Sequence, residues 1–327
     1  MEIGLIVTLL LVLGAEFVNG WTDASNAITT VVSTRTLSLR TAVILAVVFN
    51  VLGALMGTAV ATTIGKGIVD SGAINLVTIA AAKCSIIVWS TLAAKYGLPT
   101  SESHALIAGL AGAGLATAGP GVLLWAGWEK VLIGIAFSTF LGLSTAYILT
   151  KVARRIAAPF PPRTTKPLFK FLQIISSSFL AFSHGSNDGQ KFIGIFALAL
   201  VVGNAADKFS IPFWVILVCA AVMGIGTAFK GVRIIHTMGV KMLPLQTYQG
   251  FSAETAAAST ITVASHFGIP LSTTHTIGTS IVGTGIAHRR SSLRMEVLKR
   301  VIFAWLFTFP ICGALAFCIT LVLRLIF

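Results

Sequence analysis

The sequence predicts an all-α polytopic membrane protein made of two inverted-topology repeats, each containing broken helices or a re-entrant hairpin. Three observations carry this. The chain of 327 residues is 56% hydrophobic and only 10% charged, against about 25% charged in an ordinary soluble domain. Its apolar runs, 41–64 and 301–327 among them, exceed the roughly 20 residues of helix that span a hydrocarbon core of about 30 Å. Two polar motifs each occur twice, in the same order and at nearly one spacing.

The net charge of +13 would suggest nucleic acid in a soluble chain. Here the basic residues fall between apolar runs. They are Arg35 and Arg40; Lys151, Arg154, Arg155, Arg163, Lys166 and Lys170; Lys230, Arg233 and Lys241; and Arg289, Arg290, Arg294, Lys299 and Arg300. That is the positive-inside distribution which orients helices in a bilayer. The expected surroundings are therefore membrane lipid, with no nucleic acid. Continuous rather than alternating apolar runs argue against a transmembrane β-barrel. Cys84, Cys219, Cys312 and Cys318 each sit in an apolar run and form no CxxC, so they read as buried apolar residues. The run 3–18 lacks a basic n-region and a small-residue cleavage site, and is read as a retained first helix.

In chain order, helices are expected near 3–20, 41–64, 74–96 and 122–150 in a first repeat of residues 1–156. A second repeat, 168–327, should hold helices near 168–183, 190–204, 212–229, 248–266 and 298–326. Between them, 157–167 is proline-rich and basic, and reads as a cytoplasmic linker. Segments 98–118 and 269–287 are short, Gly- and Ala-rich, and opened by proline with a run of hydroxyl residues. Each reads as a broken or re-entrant hairpin; 22–34 and 186–203 look like further interruptions. The Arg35/Arg40 loop and the 289–300 loop join the linker on the cytoplasmic side. Both termini then lie outside, and each half crosses the cell membrane an odd number of times. Two like halves with odd crossings must run in opposite directions, which is the architecture of many secondary transporters.

The hydroxyl-rich motif Gly97-Leu98-Pro99-Thr100-Ser101-Glu102-Ser103-His104 returns in the second half as Gly268-Ile269-Pro270-Leu271-Ser272-Thr273-Thr274-His275. Proline favours a first helical turn, and Ser or Thr its cap. Each copy should thus present free N–H groups, hydroxyl donors and a positive dipole end, which suits an anion such as phosphate. Simple helix capping is the alternative, and duplication at matching places favours function. The second motif, Gly20-Trp21-Thr22-Asp23-Ala24-Ser25-Asn26, returns at nearly the same offset as Gly185-Ser186-Asn187-Asp188-Gly189-Gln190-Lys191. Asp23 and Asp188 lie between apolar stretches, where an ionisable residue is a functional hypothesis by default. They can ligate a hard cation such as Na⁺, carry a proton, or accept a hydrogen bond from protonated phosphate, a bond sulphate cannot offer. Helix capping at the interface is the bland alternative.

Glu16, Lys83, Lys191 and Glu254 are further intramembrane charges. Lys83 and Glu254 are separated by the same offset as the two hydroxyl motifs, so they hold equivalent repeat positions. An ion pair between them, a coupling-ion role for Glu254, or a Lys83 that snorkels to the interface each fits. His104 and His275 adjoin helix starts, which disfavour an imidazolium, and read as hydrogen-bonding residues. No His, Cys and carboxylate spacing repeats as a ligand set, so no metal beyond Na⁺ is expected.

These residues resemble the inorganic phosphate transporter (PiT) family, which includes bacterial phosphate permeases and sodium–phosphate symporters. The family's G-x-N-D-x-x-N signature looks like residues 20–26, with Thr22 in place of the usual Asn, and like 185–191, which keeps Asn187-Asp188. Its P-x-S-x-[ST]-H signature matches at 99–104 and 270–275, with Glu102 where a small or hydroxylated residue is commoner. Residues 250–254 resemble its glutamate-bearing helix. The resemblance covers nearly the whole chain. It implies uptake of inorganic phosphate by symport with Na⁺ or H⁺, alternating access at the repeat interface, no cofactor, no enzyme activity, and a homodimer. Phosphate would be held by Thr22, Asp23, Asn26, Ser101, Ser103, Asn187, Asp188, Ser272, Thr273 and Thr274. The coupling ion would use Asp23, Asn26, Asp188 and Glu254, with support from His104, His275, Gln190 and Lys191. A sulphate or other oxyanion carrier on the same fold is the alternative. An intramembrane hydrolase is disfavoured, because no GxSxG occurs and the signals are duplicated.

Overall fold

A computed structural model of the protein describes residues 3–288 and 293–326, nearly all of them helical. The first half of the chain forms α1 (Ile3–Thr22), α2 (Ala24–Ala27), α3 (Thr29–Ser33), α4 (Leu39–Ala54), α5 (Ala59–Gly67), α6 (Leu76–Lys95), α7 (Glu102–Ala118) and α8 (Trp125–Ala157). The second half forms α9 (Pro162–His184), α10 (Gln190–Val202), α11 (Phe213–Ala228), α12 (Val232–His236), α13 (Thr247–His266), α14 (Thr273–His288) and α15 (Met295–Ile326). Single π turns, Gly185–Gly189 and Thr237–Lys241, follow α9 and α12. Among the described residues, Ile3–Ala27, Leu76–Lys95, Trp125–Ala157 and Met295–Ile326 are each long and apolar enough to cross a membrane.

Helix starts follow local chemistry. α6 opens on a capping box: Asn75 Oδ1 accepts from Thr78 N at 3.0 Å, and Thr78 Oγ1 accepts from Asn75 N at 3.3 Å. α9 opens on Pro162, whose missing N–H is unneeded in a first turn. This shortens the expected 157–167 linker to residues 158–161, since the helix start absorbs the rest and Pro167 lies inside α9. Arg289 and Arg290 of the expected basic loop lie outside the described residues.

The helix expected over 41–64 is broken. α4 and α5 meet at 68°, and α11 meets the α12–π segment at 62°. Gln190 braces the first bend. Its Oε1 accepts from Val60 N at 3.0 Å, and its Nε2 donates to Met56 O at 2.9 Å. Those are backbone groups that the break would otherwise leave unpaired in an apolar setting. The interruption expected over 186–203 is confined to the π turn, after which α10 is regular.

The polarity of the molecule is reversed relative to a soluble domain. Phe140, Phe171, Leu306 and Leu325 are exposed, whereas Glu16, Asn19, Lys83, Gln173 and Glu254 are fully buried. Cys318 also faces outward and Cys84 is half-buried, so only Cys219 and Cys312 meet the expectation of burial; all four are free. The halves interlock. α7 packs against α15 and α14 against α8, while α1 packs against α11 and α4 against α9. The last two pairs are backbone-close: a Cβ on Gly20 would stand 2.3 Å from Met223 O, and one on Gly185 would stand 2.1 Å from Asn50 O. Small residues allow such approach between helices in lipid. One large apolar core includes Val12, Ile64, Ile86, Leu106, Phe192 and Ala316; a second includes Ala46, Leu180, Ile261 and Ile277. Each mixes both halves of the chain. The polar cluster described next lies where α7, rooted in the first core, meets α14, rooted in the second.

Candidate functional site

The two copies of the hydroxyl motif fold alike. Gly97 and Gly268 take positive φ angles of 67° and 64°, a turn that L side chains resist. Ser101 Oγ then accepts from His104 N at 3.2 Å, and Ser272 Oγ accepts from His275 N at 3.1 Å. Each serine is thus a helix cap. The caps also touch: Ser101 Oγ and Ser272 Oγ are 2.8 Å apart. Ser103 Oγ donates to Leu271 O at 3.0 Å. The amino ends of α7 and α14 therefore converge on one point.

The two carboxylates reach that point from the breaks in α1 and α9. Asp23 follows α1 and is buried. Its Oδ1 accepts from Thr274 Oγ1 at 2.8 Å and from Asn26 Nδ2 at 3.3 Å. Its Oδ2 accepts from Glu102 N at 3.2 Å, so a carboxyl oxygen already caps α7. Asp188 lies in the π turn. Its Oδ2 accepts from Thr273 Oγ1 at 2.7 Å, and its Oδ1 is paired with the Lys191 ammonium. Asn26 Nδ2 also donates to Thr274 Oγ1 at 3.1 Å. Thr22 Oγ1 donates to Glu102 Oε1 at 3.1 Å, which brings Glu102 into the same polar cluster.

The remaining expected residues divide by position. His104 and His275 stack edge to face with ring centroids 4.4 Å apart, between Phe309 and Trp305. Asn187 Nδ2 donates to Ser265 Oγ at the end of α13 at 2.8 Å and to Ile269 O, on the approach to α14, at 3.4 Å. Glu254 stands apart, accepting from Thr30, Gln173 and Ser176. The Lys83–Glu254 ion pair does not form, and Lys83 does not snorkel. Its ammonium is buried over the Phe192 ring, 4.9 Å from the centroid. The helix crossings put the two residues against different partners.

Sequence reasoning missed His184, which is buried with Nε2 3.2 Å from Asp188 Oδ2 and Nδ1 2.9 Å from Asn50 Oδ1. Asp23, His184 and Asp188 offer ligand atoms within 4.8 Å of one another, a grouping no linear spacing revealed. The available signal was its place one helical turn before Asp188, at i and i+4. The cluster is sealed. A void of about 10 Å³, lined by residues including Asn26, His184 and Thr273, adjoins it, room for about one water. Wider cavities lie elsewhere. One of about 670 Å³ is lined by Thr34, Arg154, Lys166 and Tyr248, and Thr34 leads inward through Gln173 to Glu254.

Comparison with known proteins adds a family. The profile described as "Phosphate transporter family" matches residues 19–316. A "Probable low-affinity inorganic phosphate transporter" of Rhizobium meliloti (strain 1021) is 41% identical over 297 residues, covering 90% of this chain and 89% of that one. One of the same name from Bacillus subtilis (strain 168) is 37% identical over 333 residues and covers 100% of both chains. A solved structure described as "The sodium-dependent phosphate transporter" superposes over 100% of both chains with a TM-score of 0.81 at 24% identity, a likeness of fold.

Proposed function

The chain belongs to the phosphate transporter family, and from that premise we propose that it takes up inorganic phosphate by symport with Na⁺ or H⁺ through alternating access. The observation that carries this reading is the convergence of Asp23 and Asp188 on two touching helix starts rich in hydroxyl groups. Thr22, Asn26, Ser101, Ser103, Asn187, Ser272, Thr273 and Thr274 complete the phosphate site. Phosphate arriving at α7 displaces Asp23 from Glu102 N and takes over a position already suited to an anionic oxygen. Asp23 is then free to hold a cation with Asn26 and Asp188, and Glu254 is a further coupling-ion position.

Charge supplies the reason for coupling. The cluster already buries three carboxyl groups, Asp23, Glu102 and Asp188, with Lys191 and His184 as its basic residues. An added phosphate with no cation would bury further uncompensated charge, at several kcal/mol per ion. Phosphate and cation therefore raise each other's affinity, and that dependence is reciprocal. The sealed cluster supports an occluded state between two open ones. Matching turns, caps and bends in the two halves support inverted repeats hinged at the site. In this reading both termini lie outside, residues 157–167 lie in the cytoplasm, and two copies form a homodimer.

The test is uptake of radiolabelled phosphate into proteoliposomes with a Na⁺ gradient and a H⁺ gradient imposed separately. One gradient should drive accumulation above the equilibrium level. Accumulation under neither would overturn symport, and equal uptake of sulphate would overturn the assignment of phosphate.

A further inference from the structure

We propose that the Lys191 ammonium is a tethered cation occupying one of two related ion positions, so that of this pair only the Asp23 position is left for a mobile ion. This rests on the symport reading above and refines its ion count. Lys191 is 1% exposed. Its Nζ donates to Asp188 Oδ1, to Ser103 Oγ at 2.5 Å and to Leu271 O at 2.7 Å. A lysine ammonium has three N–H donors, and all three end on protein oxygen. None is left for phosphate, so in this arrangement Lys191 is not an anion ligand. Its partners are a carboxylate, a hydroxyl and a backbone carbonyl in the non-helical segment just before α14. That is the all-oxygen shell a hard cation takes at a broken membrane helix.

The repeat-related position holds a matching carboxylate and hydroxyl without the lysine. Asn26 closes the first copy of the Asp motif where Lys191 closes the second, and Thr274 takes the place in the second hydroxyl motif that Ser103 takes in the first. Asp23 Oδ1 accepts from Thr274 Oγ1 at 2.8 Å, as Asp188 Oδ1 meets the ammonium beside Ser103. Asn26 is 2% exposed, and its Oδ1 has no hydrogen-bond partner. A buried, unsatisfied amide oxygen needs a donor or a cation, and the adjoining Asp23 carboxylate favours the cation. In the second half the chain supplies that group covalently; in the first half a mobile ion must.

Purified protein is to be titrated with radiolabelled sodium by equilibrium dialysis, with size-exclusion profiles confirming the fold. Two variants move the count in opposite directions. Lys191→Asn empties the tethered position and should bind one more Na⁺ per chain than the unmodified protein. Asn26→Lys fills the free position and should bind one fewer. In proteoliposomes the Na⁺ dependence of phosphate affinity should steepen by one power in Lys191→Asn. An unchanged count in either folded variant, zero included, overturns the proposal and leaves Lys191 as a structural partner of Asp188. Failure of the unmodified protein to accumulate phosphate would instead refute the symport reading, while the sodium counts would still stand.

Discussion

Replacing Thr274 by valine removes one hydroxyl and keeps the side-chain shape. Thr274 is fully buried; its Oγ1 donates to Asp23 Oδ1 at 2.8 Å and accepts from Asn26 Nδ2 at 3.1 Å. Without it, Asp23 Oδ1 keeps only the 3.3 Å contact from Asn26. Two magnitudes bracket the effect. Side-chain hydrogen bonds between membrane helices average about 0.6 kcal/mol, roughly a threefold change in affinity. A bond to an ionised group is worth about 1.5–3 kcal/mol, which is roughly tenfold to 150-fold. If Asp23 works as a carboxylate that cradles a cation beside phosphate, the larger figure applies. The expected result is a loss of phosphate affinity of about tenfold or more in Thr274→Val, with Thr274→Ser within about threefold of the unmodified protein. The assay is calorimetric titration of purified protein with phosphate at fixed Na⁺, with thermal unfolding as the control for fold. Unchanged phosphate affinity in a folded Thr274→Val protein would place the binding centre elsewhere and refute the reasoning.

Asp188→Asn and Asp23→Asn should both abolish coupled phosphate uptake, and retained uptake in either would make its carboxylate structural. Only Asp188→Asn strands the buried Lys191 charge, at about 3–5 kcal/mol, so scanning fluorimetry should find it the less stable of the two. Gly185→Ala places a Cβ 2.1 Å from Asn50 O and must separate α4 from α9, an overpacking of about 1–3 kcal/mol or more. Its melting temperature and uptake should fall, whereas Gly121→Ala, with nothing within 4 Å, should leave both unchanged. A cysteine at Arg163 in a cysteine-free background should resist a membrane-impermeant maleimide on intact cells and react after permeabilisation. Strong labelling of intact cells would reverse the assigned orientation.

The membrane class was readable from the sequence because lipid acts on every helix locally. A span needs a continuous apolar run whatever its neighbours are, and residues such as 3–20 and 301–327 state that without tertiary information. The hydroxyl motifs were readable for the same kind of reason. Proline after glycine with a following serine specifies a turn and a cap within a few residues, and both copies form them. The doubled Asp motif pointed to Asp23 and Asp188 on similarly local grounds. What each polar group meets was not local. Gln190 braces a bend far away in the chain, Thr274 meets Asp23 from the opposite half, and His184 meets Asp188 with Asp23 within 4.8 Å. Lys83 and Glu254 hold matching places in the sequence yet face Phe192 in one case and Gln173 in the other. These outcomes depend on how far helices can approach and at what angle they cross. Glycine contacts with carbonyls such as Asn50 O and Met223 O set that approach. An apolar run records the solvent around a helix; only packing against another backbone decides which polar side chains face each other inside it.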